Sequence, residues 1–515
     1  MSNVGLSTFV VLSTHYCPIV RVGLSDHAAF ATIVEHASEK DQAEPKSWLH
    51  IKVNASHVYQ KVQGFGGSFT DSAGFNVQKL SSATQHILLS TYFDREAGIG
   101  YSLCRVPMGG ADFSVRAYSY AETPNDFELK KFFEEYQKHN VTFWGCTLLN
   151  EPFVGAKPGM YMNATTQREW ATEVLAPTLK QSKFKDTVLM AHDDNRNNVL
   201  ESAIEIFGNQ TDSPISGLTF HWYSFGYYDN LSRIHSMFPN KFLIGAEASA
   251  GFEGAQKGVS LGNWDRAVQY GRDIIGDLQN WATGWIDWNL FLDQNGGPNF
   301  VNNFIDAAII VNAKNDEFYK QPTFYAVAHF SRFIPPQSER IDATFETPTL
   351  LEYFPAVSLY LPSPNPVDFV AFQTPPHGNR VMVLLSNRDE AIGVKIHDGF
   401  RSVDQSYFAI DEVITTNQLG TNSLNVNAKV ERADALEGSA TVGGKSLSRA
   451  KRFGYNGWGG YGGCCCCNGY GNYGGYGNYG GYGGYGSYAG YGGYGPFGVG
   501  LAGLTGGLLF GGWGK

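Results

Sequence analysis

The chain has 515 residues, more than one compact hydrophobic core holds, so its length predicts two domains with accessory segments. The formal net charge is −10 and no block rich in Lys and Arg precedes the tail, so the body lacks the positive surface of a nucleic-acid-binding protein. Cys17, Cys104 and Cys146 of the body have neither zinc-site nor disulfide-framework spacing. We therefore expect no nucleic-acid partner, no metal centre and no cofactor.

The N-terminal segment, residues 1–47, is poorly defined by its sequence. Its first apolar stretch has no basic residues before it, so no signal peptide is evident, and the stretch is too short to span a membrane. The secretory route is nevertheless favoured by five N-x-[ST] sequons, at Asn54, Asn140, Asn163, Asn209 and Asn230.

A strand with alternating apolar and polar residues, "SWLHIKVNASHVYQKV", precedes a long stretch of repeated β/α units. The strand is the first part of a β-domain, over 48–62, and the β/α units cover 63–333. Helical patterns such as 77–93, 166–182 and 264–282 separate the apolar runs. The strands are predicted at 64–69, 101–108, 141–148, 187–192, 217–223, 241–247 and 283–290. This pattern predicts a (β/α)8-type barrel, but it has seven strands, about one βα unit fewer than the fold requires.

Further strand patterns follow the barrel at 350–362, 367–374 and 380–387, separated by Pro, Asn and Gly. They predict that residues 334–430 complete the β-domain, with a boundary to the barrel near Phe333 to Arg340. The fold class is therefore α/β, with a small β-domain built from both flanks of a barrel.

The tail, residues 431–515, differs in composition from the rest of the chain. Between Phe453 and Lys515 lie 28 of the 61 glycines and 11 of the 28 tyrosines. So few aliphatic residues cannot offset the entropy of ordering the chain, and the tail from about Phe453 is predicted to be disordered and dispensable. The dibasic pair at 451–452 resembles a propeptide processing site.

Polar and aromatic residues end several of the barrel strands, on the face where such barrels hold their active sites. Glu151 and Glu247 are isolated acids at the ends of separate strands. A retaining glycosidase needs two such carboxyl groups, one neutral to protonate the leaving oxygen and one ionised to attack the anomeric carbon. The alternatives are that Glu151 is a solvated surface acid, that Asp287 is structural, and that His221 donates a supporting hydrogen bond.

Seven segments, in register over about residues 48–400, resemble the lysosomal glucosylceramidase family, the retaining acid β-glucosidases. They are "QGFGGSFTDSAG", "RVPMGGADFSVRAYSYAETPNDF", "FWGCTLLNEPF", "FHWYSF", "IGAEAS", "GWIDWNLFLDQNGGPNFVNNF" and "QPTFYAVAHFSRFIPPQSERI". The resemblance implies a (β/α)8 barrel beside a small β-sandwich.

The resemblance also assigns roles residue by residue. Glu151 matches the family's acid/base and Glu247 its nucleophile. Substrate-binding residues of the family match Asp112, Asn150, Tyr223, Trp288 and Asn303, and supporting positions match Arg105 and His221. The implied substrate is glucosylceramide or a related β-glucoside, and the implied partners are a saposin-type activator and an anionic lipid surface. The implied location is the lysosome or the cell exterior, at a membrane surface without a transmembrane segment.

The chain departs from the family pattern in its third barrel unit. Between "NDFELK" and "KFFEEYQKHN" the family has a long segment with a barrel strand and an "SPW" motif, whereas here Lys130 and Lys131 join directly. The Gly/Tyr-rich tail has no counterpart and resembles nematode secreted Gly-rich peptide precursors. Four hypotheses follow: a retaining glucosylceramidase, a retaining β-glycosidase of another substrate, an inactive glycan- or lipid-binding relative, and a precursor of the tail peptide.

Two properties of the site are predicted if the enzyme hypothesis holds. The carboxyl groups of Glu151 and Glu247 should lie within the range of retaining enzymes. The pKa of Glu151 should be raised relative to that of Glu247, because an ionised neighbour disfavours a second charge.

Overall fold

The computed structural model describes most of the chain before residue 398. Described are residues 48–120, 130–154, 159–208, 212–254, 257–346, 366–376, 378–386 and 393–397, with the strand segments 7–8, 20–22, 402–403, 414–415, 418–419 and 507–511. One compact unit comprises Met1–Val430 with Leu501–Lys515, and a second comprises Glu431–Gly500, which lies outside the described residues.

The barrel wall contains all seven strands that the sequence predicts. Before it come β1 (Ser7–Thr8), β2 (Val20–Val22) and β3 (Trp48–Lys61). The barrel strands are β4 (Gly64–Ser68), β5 (Leu103–Pro107), β6 (Gly145–Thr147), β7 (Val188–Asn195), β8 (Ile215–His221), β9 (Phe242–Glu247) and β10 (Ala282–Asn289). All seven run parallel, so their carboxyl ends meet at one rim.

Helices cover the outside of the barrel and begin at residues suited to capping. Ser81 and Asn263 accept hydrogen bonds from the backbone of the first turns of the second and last barrel helices. The helices are α1 (Asp71–Gln78), α2 (Ser82–Phe93), α3 (Lys130–Lys138), α4 (Ala164–Trp170), α5 (Ala176–Lys180), α6 (Val199–Phe207), α7 (Tyr228–Met237) and α8 (Trp264–Gln279). A π-helical turn, Ala171–Leu175, joins α4 to α5. No described helix is both long enough and apolar enough to cross a membrane.

The interior of the barrel is filled below the rim by a small apolar layer. Leu103, Met190, Ile244 and Ile286 form one buried cluster. Each comes from a different strand and lies two or three residues before a polar or aromatic residue of the rim. These four side chains therefore form an apolar layer directly below the polar residues of the site.

The β-domain is a sheet made from both flanks of the barrel. A separate, four-stranded sheet contains β11 (Phe291–Asp293), β12 (Ile309–Asn312), β13 (Glu317–Lys320) and β2. The helix α9 (Pro322–Ser331) follows β13. The nine-stranded sheet then joins β3 to β14 (Glu339–Phe345), β15 (Val367–Thr374), β16 (Asn379–Ser386), β17 (Gly393–His397), β18 (Ser402–Val403), β19 (Ile414–Thr415), β20 (Gln418–Leu419) and β1. A barrel beside a β-sandwich is confirmed; the domain limits stay predictions, and the strand pattern at 350–362 lies outside the described residues.

A strand from the tail occupies the place of the missing barrel strand. This strand, β21 (Gly507–Gly511), runs antiparallel to both β5 and β6 and closes the barrel between them. Leu509 pairs with Arg105 on one side and with Gly145 on the other. The disorder predicted for the tail does not hold for these five residues, which form a paired strand, and residues 453–506 and 512–515 lie outside the described residues.

Candidate active site

Glu247, at the end of β9, is held at both carboxylate oxygens. Arg105 on β5 donates from Nη1 to Oε2 over 2.6 Å, and the hydroxyl of Tyr223 donates to Oε1 over 3.0 Å. The side chain is almost entirely buried at the rim. Two donors on opposite oxygens fix the carboxylate in one orientation.

Arg105 connects the residues of three strand ends. Its Nη2 donates to the Asn150 side chain over 2.6 Å and to the Asp193 carboxylate over 3.2 Å. Its guanidinium lies 5.0 Å from the centre of the Trp288 ring. Burial opposes the charge, but Asp193 and Glu247 outweigh it and raise the pKa of Arg105, so the guanidinium stays charged.

Glu151 follows β6 in an uncommon backbone conformation, with φ of 45°. Its backbone N–H donates to the carbonyl of Asp193 over 2.9 Å, which holds the turn. The Glu151 carboxylate lies 3.5 Å from Nδ1 of His221 and is about one-third exposed, at 35%. Carboxylate oxygens of Glu151 and Glu247 lie within 4.8 Å of each other, which is consistent with the predicted approach of the two groups.

His221, at the end of β8, is fully buried among carboxylates. Its Nε2 lies 3.3 Å from Asp193 and 3.8 Å from Glu247, and its Nδ1 faces Glu151. Burial opposes the charged form, but these three acids raise the pKa of His221 to about 10. These acids favour the protonated imidazole, a form that does not bind metal, although donor atoms of Glu151, His221 and Glu247 lie within 4.8 Å of one another.

Asp193 is a site residue that the sequence reasoning missed. It lies near the end of β7 with φ of 48°, is fully buried, and accepts from Arg105, His221 and the Thr147 hydroxyl. Burial opposes ionisation, but Arg105 and His221 hold its pKa well below the usual range. The two consecutive acids after the predicted strand at 187–192 were the available clue.

Asp112 and Asn303 come together from the loops after β5 and β11. The Asn303 amide donates to the Asp112 carboxylate over 3.1 Å. Burial raises the pKa of Asp112 to about 7, the Asn303 bond opposes this, and the nearby charges of Glu247 and Glu151 add to it. All nine residues predicted from the sequence are thus linked in one site by these contacts and charges.

The pKa of Glu151 differs from the prediction. Burial raises it, but the hydrogen bond and charge of His221, with the charge of Arg105, outweigh burial and lower it below the ordinary value. Repulsion from Glu247 alone would raise the pKa of Glu151, but the imidazolium beside both acids acts in the opposite direction.

Two carboxylates this close at the carboxyl rim of a β/α barrel, with an arginine, a histidine and a tryptophan around them, define a glycoside hydrolase. The model of the glycosyl hydrolase family 30 TIM-barrel domain matches residues 62–133 and 129–334. The chain belongs to this family. The two matched segments meet where the sequence joins Lys130 to Lys131.

The curated proteins similar to the chain include glucosylceramidases and endo-1,6-β-D-glucanases. Lysosomal acid glucosylceramidase of Mus musculus is 31% identical over 427 residues, covering 68% of this chain and 79% of that protein. Putative glucosylceramidase 3 of Caenorhabditis elegans is 35% identical over 375 residues, covering 58% and 71%. The solved structure of an endo-β1,6-glucanase shares the fold with a TM-score of 0.62 at 21% identity, covering 72% of this chain and 94% of that one.

Proposed function

We propose that the chain hydrolyses the β-glucosidic bond of glucosylceramide with retention of configuration. The observation that carries the proposal is the approach of Glu151 and Glu247, whose carboxylate oxygens lie within 4.8 Å. Retaining enzymes have carboxyl groups about 5 to 5.5 Å apart, whereas inverting enzymes leave about 6.5 to 9.5 Å for a water molecule.

The roles follow from the contacts of each carboxylate. Glu247, oriented by Arg105 and Tyr223, attacks the anomeric carbon and forms a glucosyl ester. Glu151 gives its proton to the glycosidic oxygen, so the ceramide leaves as an alcohol. Glu151 then takes a proton from water, which attacks the same carbon and releases glucose and free Glu247.

The sugar would be held by the residues around these acids. Asp112 and Asn303 lie together beside the pair and offer hydrogen-bonding groups for glucose hydroxyls. Asn150, held by Arg105, is beside Glu151 and suits the 2-hydroxyl. Trp288, buried beneath Arg105, supplies an apolar surface for the pyranose ring.

A lipid aglycone is supported by the loops that surround the rim. Large exposed apolar side chains project from loops that follow barrel strands β5, β6, β8, β9 and the nearby β11. They are eight of the thirteen large apolar side chains exposed among the described residues: Val115, Tyr120, Val154, Tyr161, Tyr227, Leu261, Val301 and Phe304. Exposed apolar groups concentrated on one face suit contact with a membrane or lipid better than with a soluble polysaccharide. The proposed partners are accordingly an anionic lipid surface and a saposin-type activator.

A lysosomal or secreted location is part of the proposal. Asn54, Asn140 and Asn163 are exposed, as glycosylation requires. Asn230 is buried in α7 and its amide donates to the carbonyls of Arg196 and Asn197, so this sequon does not suit a glycan.

The test compares the full chain with Glu247→Gln. We expect the full chain to release glucose from glucosylceramide in anionic vesicles, and a mechanism-based glucoside inhibitor to label the full chain and leave the variant unlabelled. If a β-1,6-glucan were hydrolysed faster than glucosylceramide, the glucan would become the proposed substrate in its place. Hydrolysis or labelling that persists in Glu247→Gln would remove Glu247 as nucleophile, and absence of both in the full chain would favour an inactive glycan- or lipid-binding relative.

The activity should increase as pH falls into the acidic range. His221 and Arg105 lower the pKa of Glu151, so the protonated form needed to assist departure of the alcohol forms only in acid. A kcat profile that is flat from pH 5 to pH 8 would contradict Glu151 as the proton donor.

A further inference from the structure

A second cluster of metal-binding side chains lies on the β-domain, away from the barrel rim. His50 is on β3, Glu346 directly follows β14, and His397 ends β17. In the sheet β3 lies between β17 and β14, so the three residues come from three adjacent strands. The backbone N–H of Glu346 donates to the carbonyl of His50 over 2.8 Å, which fixes Glu346 beside β3.

The three side chains lie on the solvent face of the sheet. His50 and His397 occupy the same face because His50 pairs with Lys395, two residues before His397. Ile51 and Ile396, their chain neighbours, point the other way into the apolar core. About one-third of each donor side chain is exposed, 37% for His50, 31% for His397 and 36% for Glu346, so the cluster is open to ions.

One atom from each residue converges on a common point. Nδ1 of His50 and Nε2 of His397 share a hydrogen bond of 3.2 Å, and Oε2 of Glu346 lies 3.7 and 3.8 Å from these two nitrogens. The point equidistant from three atoms with these separations is about 2.1 Å from each, within the range of Zn–N and Zn–O bonds. The triangle therefore already has the size of a zinc coordination face.

We propose that His50, Glu346 and His397 bind a divalent transition-metal cation, of which Zn²⁺ is the best fit. Two imidazoles and one carboxylate suit Zn²⁺, whereas Ca²⁺ and Mg²⁺ require more oxygen ligands. Three protein ligands leave the fourth tetrahedral position to water, for which the exposed face has room. The expectation of no metal centre came from cysteine spacing and did not consider histidines brought together by the sheet.

The neighbouring charges permit a cation at this place. Two neutral imidazoles and one carboxylate give the ligand set a charge of −1. Two lysines share this face: Lys395, whose ammonium lies 5.0 Å from the centre of the Trp48 ring, and the exposed Lys52, which pairs with His397. A bound cation would join β17, a five-residue strand, to β3 and β14, and would stabilise this edge of the β-domain.

The binding experiment uses the full chain with Cys464 to Cys467 changed to serine, because four thiols would bind zinc themselves. Zinc binding is measured by equilibrium dialysis at pH 7.5, and the melting temperature with ZnCl₂ and with EDTA. We expect one zinc per chain and a higher melting temperature with zinc. His50→Ala and His397→Ala should each weaken binding at least about tenfold, the usual effect of losing a ligand or its close support, and Glu346→Gln should also weaken it.

His57→Ala is the matched control, since His57 is an exposed histidine of the same strand β3 whose ring stacks on Tyr59. It should bind zinc as the parent chain does. Melting temperatures in EDTA should agree among all variants, which shows that each is folded. Absence of zinc binding in the parent with the four serine substitutions, or binding that persists in the His50→Ala/His397→Ala double variant, would overturn the proposal.

Discussion

The charged His221 should make the stability of the protein decrease between pH 7 and pH 10. His221 is surrounded by Asp193, Glu247 and Glu151, and burial opposes these acids without cancelling them, so its pKa rises from 6.5 to about 10. A group with a raised pKa contributes its full stabilisation below the unfolded value and loses it as pH rises through the folded value. His221→Gln removes the titrating group and keeps a polar side chain.

The expected size follows from the two pKa values. One proton with pKa of 6.5 in the unfolded chain and about 10 in the fold contributes about 4 kcal/mol at pH 7 and less than about 1 kcal/mol at pH 10. Burial lowers the pKa of Lys320 to about 8, which acts in the opposite direction over this window. Lys320 is present in both proteins, so its effect cancels in the difference between them.

The assay is urea unfolding, followed by tryptophan fluorescence, at several pH values from 7 to 10. The difference in free energy of unfolding between the parent and His221→Gln should shrink by about 3 to 4 kcal/mol over this range. The control is His192→Gln: burial lowers the pKa of His192 to about 4, so this neighbouring histidine is neutral throughout and its difference should stay constant. A constant difference for His221→Gln as well would show that His221 is neutral and refute the reasoning.

Three further predictions concern the barrel. Leu508→Pro removes a backbone N–H from β21, so hydrogen exchange of the β5 amides, read by mass spectrometry, should accelerate at least about tenfold. Leu508→Val is the control and should leave the exchange unchanged. Equal exchange in the two variants would show that β21 does not pair with β5. Arg105→Lys keeps the positive charge but loses the two guanidinium nitrogens that donate to Glu247 and Asn150, so kcat for a fluorogenic β-glucoside should fall about 100-fold. An unchanged kcat would contradict the proposal that Arg105 positions these two side chains. Cys146 is buried with its pKa raised to about 12, so its thiol should resist alkylation, mapped by peptide mass spectrometry, until the protein unfolds; rapid labelling in the native protein would contradict its burial.

The sequence could predict the elements whose pattern is local. Apolar runs bounded by turn residues gave all seven parallel strands, because a strand buried on both faces needs such a run. Glu151 and Glu247 could be placed in one site because parallel strands bring their carboxyl ends to one rim.

Features set by distant parts of the chain could not be read in this way. The apolar run of β21 has only three residues between glycines, too few to predict a strand, and its pairing depends on the gap between β5 and β6. The lowered pKa of Glu151 depends on the position of His221, which only the folded barrel supplies. The proximity of His50 and His397 similarly depends on the register of β17 beside β3.

The origin of β21 affects how the barrel forms during translation. Gly507 pairs with Pro107, 400 positions earlier in the chain. At about 5 to 20 residues per second the ribosome needs about 20 to 80 s to cover that distance, and until then the facing edges of β5 and β6 have no native partner. Such edges accept strands from other molecules, so nascent chains on one polysome could exchange their β21 segments and emerge as domain-swapped pairs. Co-translational chaperones that cover strand edges would therefore matter more for this protein than for a barrel whose strands follow one another along the chain.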